Sequence, residues 1–351
     1  DLVRQALPGF APLLSRTELF ALAAREGVHS RLVRQQGRGW GLAQGPFERK
    51  VLPPLTTPGW TLLVQGVDLH VDAAHQLLQQ FRFVPDARLD DLMVSYATPG
   101  GGVGPHFDSY DVFLLQASGQ RRWRIGRQKD LSLRPNLPLK VLQHFEPEEE
   151  YVLEAGDMLY LPPRWAHDGV AVGAGECTTY SIGFRAPSAG ELAHGLLTRM
   201  ADEVDEETPT AARLYADPHQ DAAAQPAQIP AALSEFAAQA LLRAAGDPQA
   251  LALSLGEMLT EPKPDVWFEA QAHRLGGGHG VRLDRRTRMM FDAQHIFING
   301  EALRAAGRDA TFMRRLANAR RLSAQELAKA SAAAHNCLQE WFANGWLHHD
   351  D

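Results

Sequence analysis

The chain has 351 residues, 45% of them hydrophobic and 22% charged, with a net charge of -7 at neutral pH. That length argues for more than one domain and that composition for a globular fold, while no apolar run reaches the roughly eighteen residues that mark a bilayer span. The acidic balance disfavours a nucleic-acid binder, which normally carries a basic patch, and favours a small substrate or a basic protein partner.

Cys177 and Cys337 lie far apart and form neither a CxxC pair nor a disulfide framework, as expected of a protein in a reducing cytoplasm. The opening residues lack the pattern of a secretory signal.

Up to about Pro85 the chain mixes short elements. Residues 19–24 and 73–80 have helical spacing, 61–64 reads as a strand, and Pro53, Pro54, Pro58 and Gly59 mark loops. From about Leu89 the texture changes to short apolar runs at 92–97, 112–116, 122–125, 151–153, 158–161 and 180–184, each bounded by Gly, Pro, Asp or Asn. Many short strands without helices between them predict a mainly β barrel or jelly roll of the cupin type.

After Pro187, residues 189–204, 230–244 and 249–259 are Ala/Leu-rich and predict helices. The acidic run Asp202, Glu203, Asp205, Glu206 and Glu207, and the Ala/Gln/Pro stretch 221–230, read as linkers. From about Pro264 a small α+β unit follows, with strands at 281–283, 289–291 and 295–298 and helices at 301–306, 310–319 and 324–346, a winged-helix-like order. Its positive and negative charges from Asp309 onward nearly cancel. DNA binding is therefore disfavoured against a structural or protein-docking role.

The chemistry concentrates in Gly100-Gly-Gly-Val-Gly-Pro-His106-Phe-Asp108. Residues at i and i+2 of an extended chain project to one side. A His nitrogen beside an Asp oxygen suits iron(II) in a two-His-one-carboxylate triad, which keeps three coordination positions open. His-x-Asp alone is a weak signal; the Gly-rich approach strengthens it, because glycine lets backbone pass close to a site. The third ligand is expected on a later strand. His167, after Pro162 and Pro163, is better placed than His144, His194, His29, His70 or His75, and its alternative is a core histidine bonded to a carbonyl.

In Gly119-Gln-Arg121-Arg-Trp-Arg-Ile-Gly, alternation places Arg121, Trp123 and Ile125 on one face. An arginine on an interior face needs an anion, and a ligand carboxylate can be bidentate with it. The alternative is a salt bridge at the rim. Ser95, Thr179 and Ser181 are further polar candidates, or ordinary strand hydroxyls.

The segments PGGGVGPHFDSYDVFLLQASGQRRWRIG, GDMLYLPPRWAHDG and YSIGFRAP resemble the JmjC-type ribosomal oxygenases, most closely the bacterial branch that hydroxylates an arginine of large-subunit ribosomal protein sixteen. The resemblance is strong from about Asp90 to Pro187. It implies a JmjC barrel with an N-terminal extension (1–187, core about 90–187), a helical dimerisation domain (188–262) and a winged-helix-like domain (263–351). It implies iron(II) on His106, Asp108 and His167, with 2-oxoglutarate as cosubstrate held by Arg121, Ser95 and Thr179. It also implies a basic ribosomal protein substrate and a homodimer. Arg121 favours the arginine branch, since the related histidine hydroxylases usually have Lys there. Asp111 or Asp168 could meet the substrate guanidinium. Ser109 and the spacing between His167 and Tyr180 depart from the family pattern and bear on substrate preference. The competing readings are a JmjC histidine hydroxylase with another target, a noncatalytic cupin-like binding module, and a winged-helix regulator with a ligand-sensing barrel.

Overall fold

The structure is a computed structural model and describes residues 1–37, 39–203, 214–219, 221, 225–272, 275, 278–304 and 306–350. The expected acidic linker from Val204 onward, and residues 222–224 of the second linker, lie outside the described residues. The chain divides into two compact units, Asp1–Ala186 and Pro187–Asp351.

The first unit contains β1 (Leu2–Val3), α1 (Arg16–Ala23), β2 (Ser30–Gln36), β3 (Gly39–Gln44), β4 (Trp60–Val64), α2 (Asp72–Gln79) and β5 (Leu89–Ala97). It continues with β6 (His106–Phe107), β7 (Val112–Ser118), β8 (Gln120–Gly126), β9 (Glu149–Leu153), β10 (Met158–Leu161), β11 (Ala166–Val172) and β12 (Cys177–Phe184). Eight strands pair in the order β1-β10-β7-β12-β5-β4-β2-β3 and four in the order β6-β11-β8-β9, a jelly roll. The two sheets share a core: Val112, Leu114, Leu159 and Leu161 of the larger pack with Trp123, Ile125 and Leu153 of the smaller.

Strand β12 explains how the larger sheet can be buried on both faces. Tyr180, Ile182 and Phe184 join Phe20 of α1 and Leu77 of α2 in one apolar cluster. The intervening Thr179, Ser181 and Gly183, small or polar, line a cavity on the opposite face. This is the two-residue period of a strand with one dry side and one functional side. The N-terminal region supplies β1 to β4 to this sheet. Its β2–β3 hairpin, with β6 and β11, was not visible in the apolar pattern.

The second unit contains α3 (Ala189–Glu203), α4 (Ala231–Ala245), α5 (Pro248–Thr260), β13 (Gly280–Leu283), β14 (Met289–Phe291), β15 (His295–Ile298), β16 (Glu301–Arg304), α6 (Gly307–Ala319), β17 (Arg321–Leu322), α7 (Ala324–Leu327), α8 (Ala332–Ala343) and β18 (Leu347–Asp350). Asp202 and Glu203 thus close α3 and do not begin a linker. Two expectations fail here. Residues 301–304 are a strand, because Asn299 and Gly300 both adopt positive φ and turn β15 back onto β16, with Ile298 paired to Glu301. That is a two-residue hairpin loop, which Asn-Gly strongly favours. The expected helix 324–346 is broken: Ser331 starts α8 by accepting from Ala334 N, and the chain ends in β18. Among the described residues no helix is long and apolar enough to cross a membrane.

Candidate active site

The Gly-rich segment runs tightly against β4 and β11. A Cβ at Gly101 would stand 2.4 Å from the Trp60 carbonyl oxygen, and one at Gly102 would stand 2.5 Å from that of Gly169. Only glycine allows this approach. Gly100 N donates to Ala171 O, and Ala171 N to Gly101 O, both at 2.9 Å. The segment then enters β6, which pairs with β11 so that His106 and His167 are direct partners. Arg164 N donates to Asp108 O at 2.7 Å and fixes the third member.

The imidazole tautomers follow from the hydrogen bonds. His106 Nδ1 lies 2.9 Å from Gly104 O, and His167 Nδ1 lies 2.9 Å from Trp165 O. A carbonyl only accepts, so each Nδ1 carries a hydrogen, and Nε2 is the nitrogen each ring can offer to a metal. Burial, reinforced by the neighbouring His106, pushes the His167 imidazole down to about 3 and keeps it neutral. His167 Nε2 is 3.6 Å from Asp108 Oδ2. One ligand atom from each of His106, Asp108 and His167 lies within 4.8 Å of the others, and no other such cluster occurs among the described residues. Two neutral imidazole nitrogens and a carboxylate fit an iron(II) ion with open positions. His144 and His194 are exposed side chains elsewhere.

These residues border a cavity of about 420 Å³ that Arg121, Ser95 and Thr179 also line. Arg121 is 4% exposed, so it is not at a rim. Its Nη2 donates to Ser95 Oγ at 3.4 Å and its guanidinium lies over the Trp123 ring, while its buried Nε has no partner. No carboxylate among the described residues pairs with it. A buried cation in that state calls for an anionic ligand. Thr179 Oγ1 donates to Gln116 Oε1 at 2.9 Å.

Asp111 and Asp168 do not face the cavity. Asp111 accepts from Arg88 and from the Tyr160 hydroxyl, each at 2.7 Å, and Asp168 accepts from Arg124 at 2.6 Å. Both are engaged by side chains of this chain. The acidic residues lining the cavity are Asp108 and Asp91, and Asp91 was missed. Its signal was present: Asp91, Met93 and Ser95 alternate on β5, so the reasoning that selects Ser95 selects Asp91. Tyr110 was missed too. Although the residue is 38% exposed overall, desolvation around its phenol first, then the charges of Asp108 and Asp91, push it upward, so its O–H stays protonated beside carboxylates. Arg31 of β2 completes this side.

Comparison with known proteins agrees with this geometry. Residues 76–192 match the JmjC domain family, and residues 240–348 match the ROXA-like winged helix family. The chain is 32% identical to the ribosomal protein uL16 3-hydroxylase of Escherichia coli strain K12 over 349 residues, covering 90% of this chain and 91% of that protein. It resembles the crystal structure of Escherichia coli YcfD at a TM-score of 0.87 and 28% identity, over 100% of this chain and 94% of that one. A structure of YcfD in complex with cobalt and 2-oxoglutarate matches at a TM-score of 0.84 and 27% identity, over the same shares.

Proposed function

This chain belongs to the JmjC-type ribosomal oxygenases, and from that premise we propose that it is an iron(II)- and 2-oxoglutarate-dependent hydroxylase of an arginine in ribosomal protein uL16. One observation carries the reading. A two-His-one-Asp cluster and a buried arginine with no anionic partner among the described residues border the same cavity. His106, Asp108 and His167 hold the metal, and Arg121 receives the far carboxylate of 2-oxoglutarate, with Ser95 and Thr179 beside it. When bound, iron and 2-oxoglutarate would supply the chemistry that places one oxygen atom of dioxygen in a carbon–hydrogen bond, the other atom going to succinate as carbon dioxide is lost.

The chain's own residues bind, orient and exclude water. The Nδ1 hydrogen bonds to Gly104 and Trp165 keep both imidazoles aimed at one point. Val112, Leu114 and Trp123 give the cavity apolar walls that shield a reactive centre. Asp91 receives the substrate guanidinium, and Tyr110 lies alongside. An acidic enzyme and a basic ribosomal protein are complementary in charge. Modification of a ribosomal protein accords with a cytoplasmic location.

The second unit serves assembly and docking rather than direct DNA binding. Arg314 donates to the carbonyls of Asp292 and Ala293, Arg320 to those of Asp284 and Thr287, and Arg315 pairs with Glu326. These arginines are engaged within their own unit. Helix α4 has no buried residue. Its exposed apolar side chains, Leu233, Leu241 and Leu242, fit burial against a second copy of the chain, making a homodimer.

The test is turnover of uL16 with iron(II), 2-oxoglutarate and air, following succinate and mapping the added oxygen by mass spectrometry. Substrate-coupled succinate with oxygen on an arginine supports the reading. Succinate with oxygen on a histidine, or on another protein only, rejects the assigned substrate. Metal and 2-oxoglutarate binding without turnover of any ribosomal protein leaves a binding module.

A further inference from the structure

One cavity residue's hydrogen bond leads out of the cavity. Ser95, Thr179 and Gln116 form a single cross-strand row, with Thr179 paired to Ser95 on one side and to Gln116 on the other. Gln116 does not line the cavity; it is fully buried on the neighbouring strand β7. It sits where the β12–β7 register shifts between Thr178 and Thr179, so Ala117 is the extra residue on β7. Its amide spans that irregularity. Gln116 Nε2 donates to Ser118 O at 2.8 Å and reaches Cys177 Sγ at 3.2 Å. Those contacts assign the nitrogen, so Oε1 must accept, and the Thr179 hydroxyl must donate to it.

The row therefore has a direction. Thr179 Oγ1 gives its hydrogen to Gln116, Ser95 gives its own to the Thr179 backbone carbonyl at 3.5 Å, and each hydroxyl keeps its lone pairs free to accept. Ser95 Oγ thereby accepts from Arg121. The same amide holds the turn at Ser118, from which β8 leaves toward Arg121.

We propose that Gln116 is a positioning residue for the carboxylate end of the cosubstrate site. It fixes the Thr179 rotamer and the start of β8, so that Arg121 is presented in one orientation as the donor to the far carboxylate. This rests on the reading that Arg121 binds 2-oxoglutarate. Preorganisation lowers the ordering cost of binding. Loss of the amide should weaken dicarboxylate binding and leave the metal end unaffected.

The experiment uses the full chain loaded with cobalt(II), titrated calorimetrically with 2-oxoglutarate and, separately, with oxalate, which can chelate the metal but has no far carboxylate. Gln116→Met keeps the volume and removes the amide. The expected result is a dissociation constant for 2-oxoglutarate raised about three- to tenfold, the range of one net buried hydrogen bond. Oxalate affinity and the cobalt absorption spectrum stay unchanged. Thr179→Val, a nearly isosteric change that covers the case of a poorly folding Gln116 variant, weakens 2-oxoglutarate alone in the same way. It costs less in the Gln116→Met background than it does alone, since the contact between the two side chains is already broken there. Unchanged 2-oxoglutarate affinity, additive effects, or an equal loss of oxalate affinity would each overturn the proposal. Wild-type protein that binds cobalt but no 2-oxoglutarate would overturn the cosubstrate reading as well.

Discussion

His106 and His167 face each other across one rung of the β6–β11 ladder, with ring centroids 4.2 Å apart. Strand β6 is only two residues long, and it puts His106 on that rung as the chain leaves its glycine-rich approach. Each ring is then held through Nδ1, so the rotation that would misdirect Nε2 is opposed at both ends.

Replacing either histidine by alanine should remove a nitrogen ligand without disturbing the larger sheet. The expected loss in metal affinity is at least about a hundredfold, above the range for residues that merely orient ligands. Hydroxylation should disappear with it. Cobalt titration by absorbance, alongside mass analysis of uL16, checks both.

Arg121→Met should separate cosubstrate binding from metal binding. Removing one partner of a buried charge pair costs about 2 kcal/mol or more, which is roughly thirtyfold in the Michaelis constant for 2-oxoglutarate. Metal affinity should stay within a small factor of wild type. Steady-state kinetics at varied 2-oxoglutarate, with a parallel metal titration, makes the measurement.

What the sequence reveals and hides here follows from the range of each interaction. His106 and Asp108 are legible because ligand type and i, i+2 spacing are local. Arg121 is legible because strand alternation puts it with Trp123 and Ile125. Arg31 is hidden, since its place in the cavity depends on β2 pairing with β4 and β4 with β5, contacts with no local signature. Residues 301–304 were misread for the opposite reason. Ala-Leu-Arg favours helix locally, and the Asn299–Gly300 turn overrides it.

Gly169 lies two residues after His167 on β11, under the Trp123 ring. A Cβ there would stand 2.5 Å from Trp123 ring carbon. Gly169→Ala must displace the indole or bend β11, an overpacking expected to cost about 1–3 kcal/mol. Because the Arg121 guanidinium packs over the Trp123 ring, the variant should lose cosubstrate affinity as well as melting temperature. Calorimetric melting and 2-oxoglutarate titration test the pair of effects.

Asp284 gives the second unit a dependence on acid. Burial opposes its charge, yet hydrogen bonds from His348 Nε2 at 2.7 Å and from Arg286 at 2.8 Å outweigh burial and hold its carboxyl well below the usual range. A depressed folded-state value adds stability above the unfolded value of about 3.9, and that stability is lost as pH falls through the folded one. Asp284→Asn should therefore destabilise the protein by about 2 kcal/mol at neutral pH, the scale of hydrogen bonds to a buried charge. The gap between variant and wild type should narrow below about pH 4. Denaturant melts at neutral and acid pH, following Trp fluorescence, measure it; a gap that does not change with pH would reject the linkage.

Helix α4 offers the last test. Leu241 and Leu242 are 61% and 70% exposed, and Leu233 and Phe236 are also not buried, on a helix with Asp or Glu absent from its first turn. Alanine-rich helices of this length are marginal in water unless an apolar face is covered. If a second copy covers it, one charge placed there should act twice, once on each subunit of a twofold assembly. Leu242→Glu, alone or with Leu241→Glu, is expected to halve the solution mass measured by analytical ultracentrifugation at micromolar concentration. Cobalt binding should survive, because all three proposed ligands lie in the first unit. A wild-type chain that sediments as a monomer would instead assign the α4 face to a different partner.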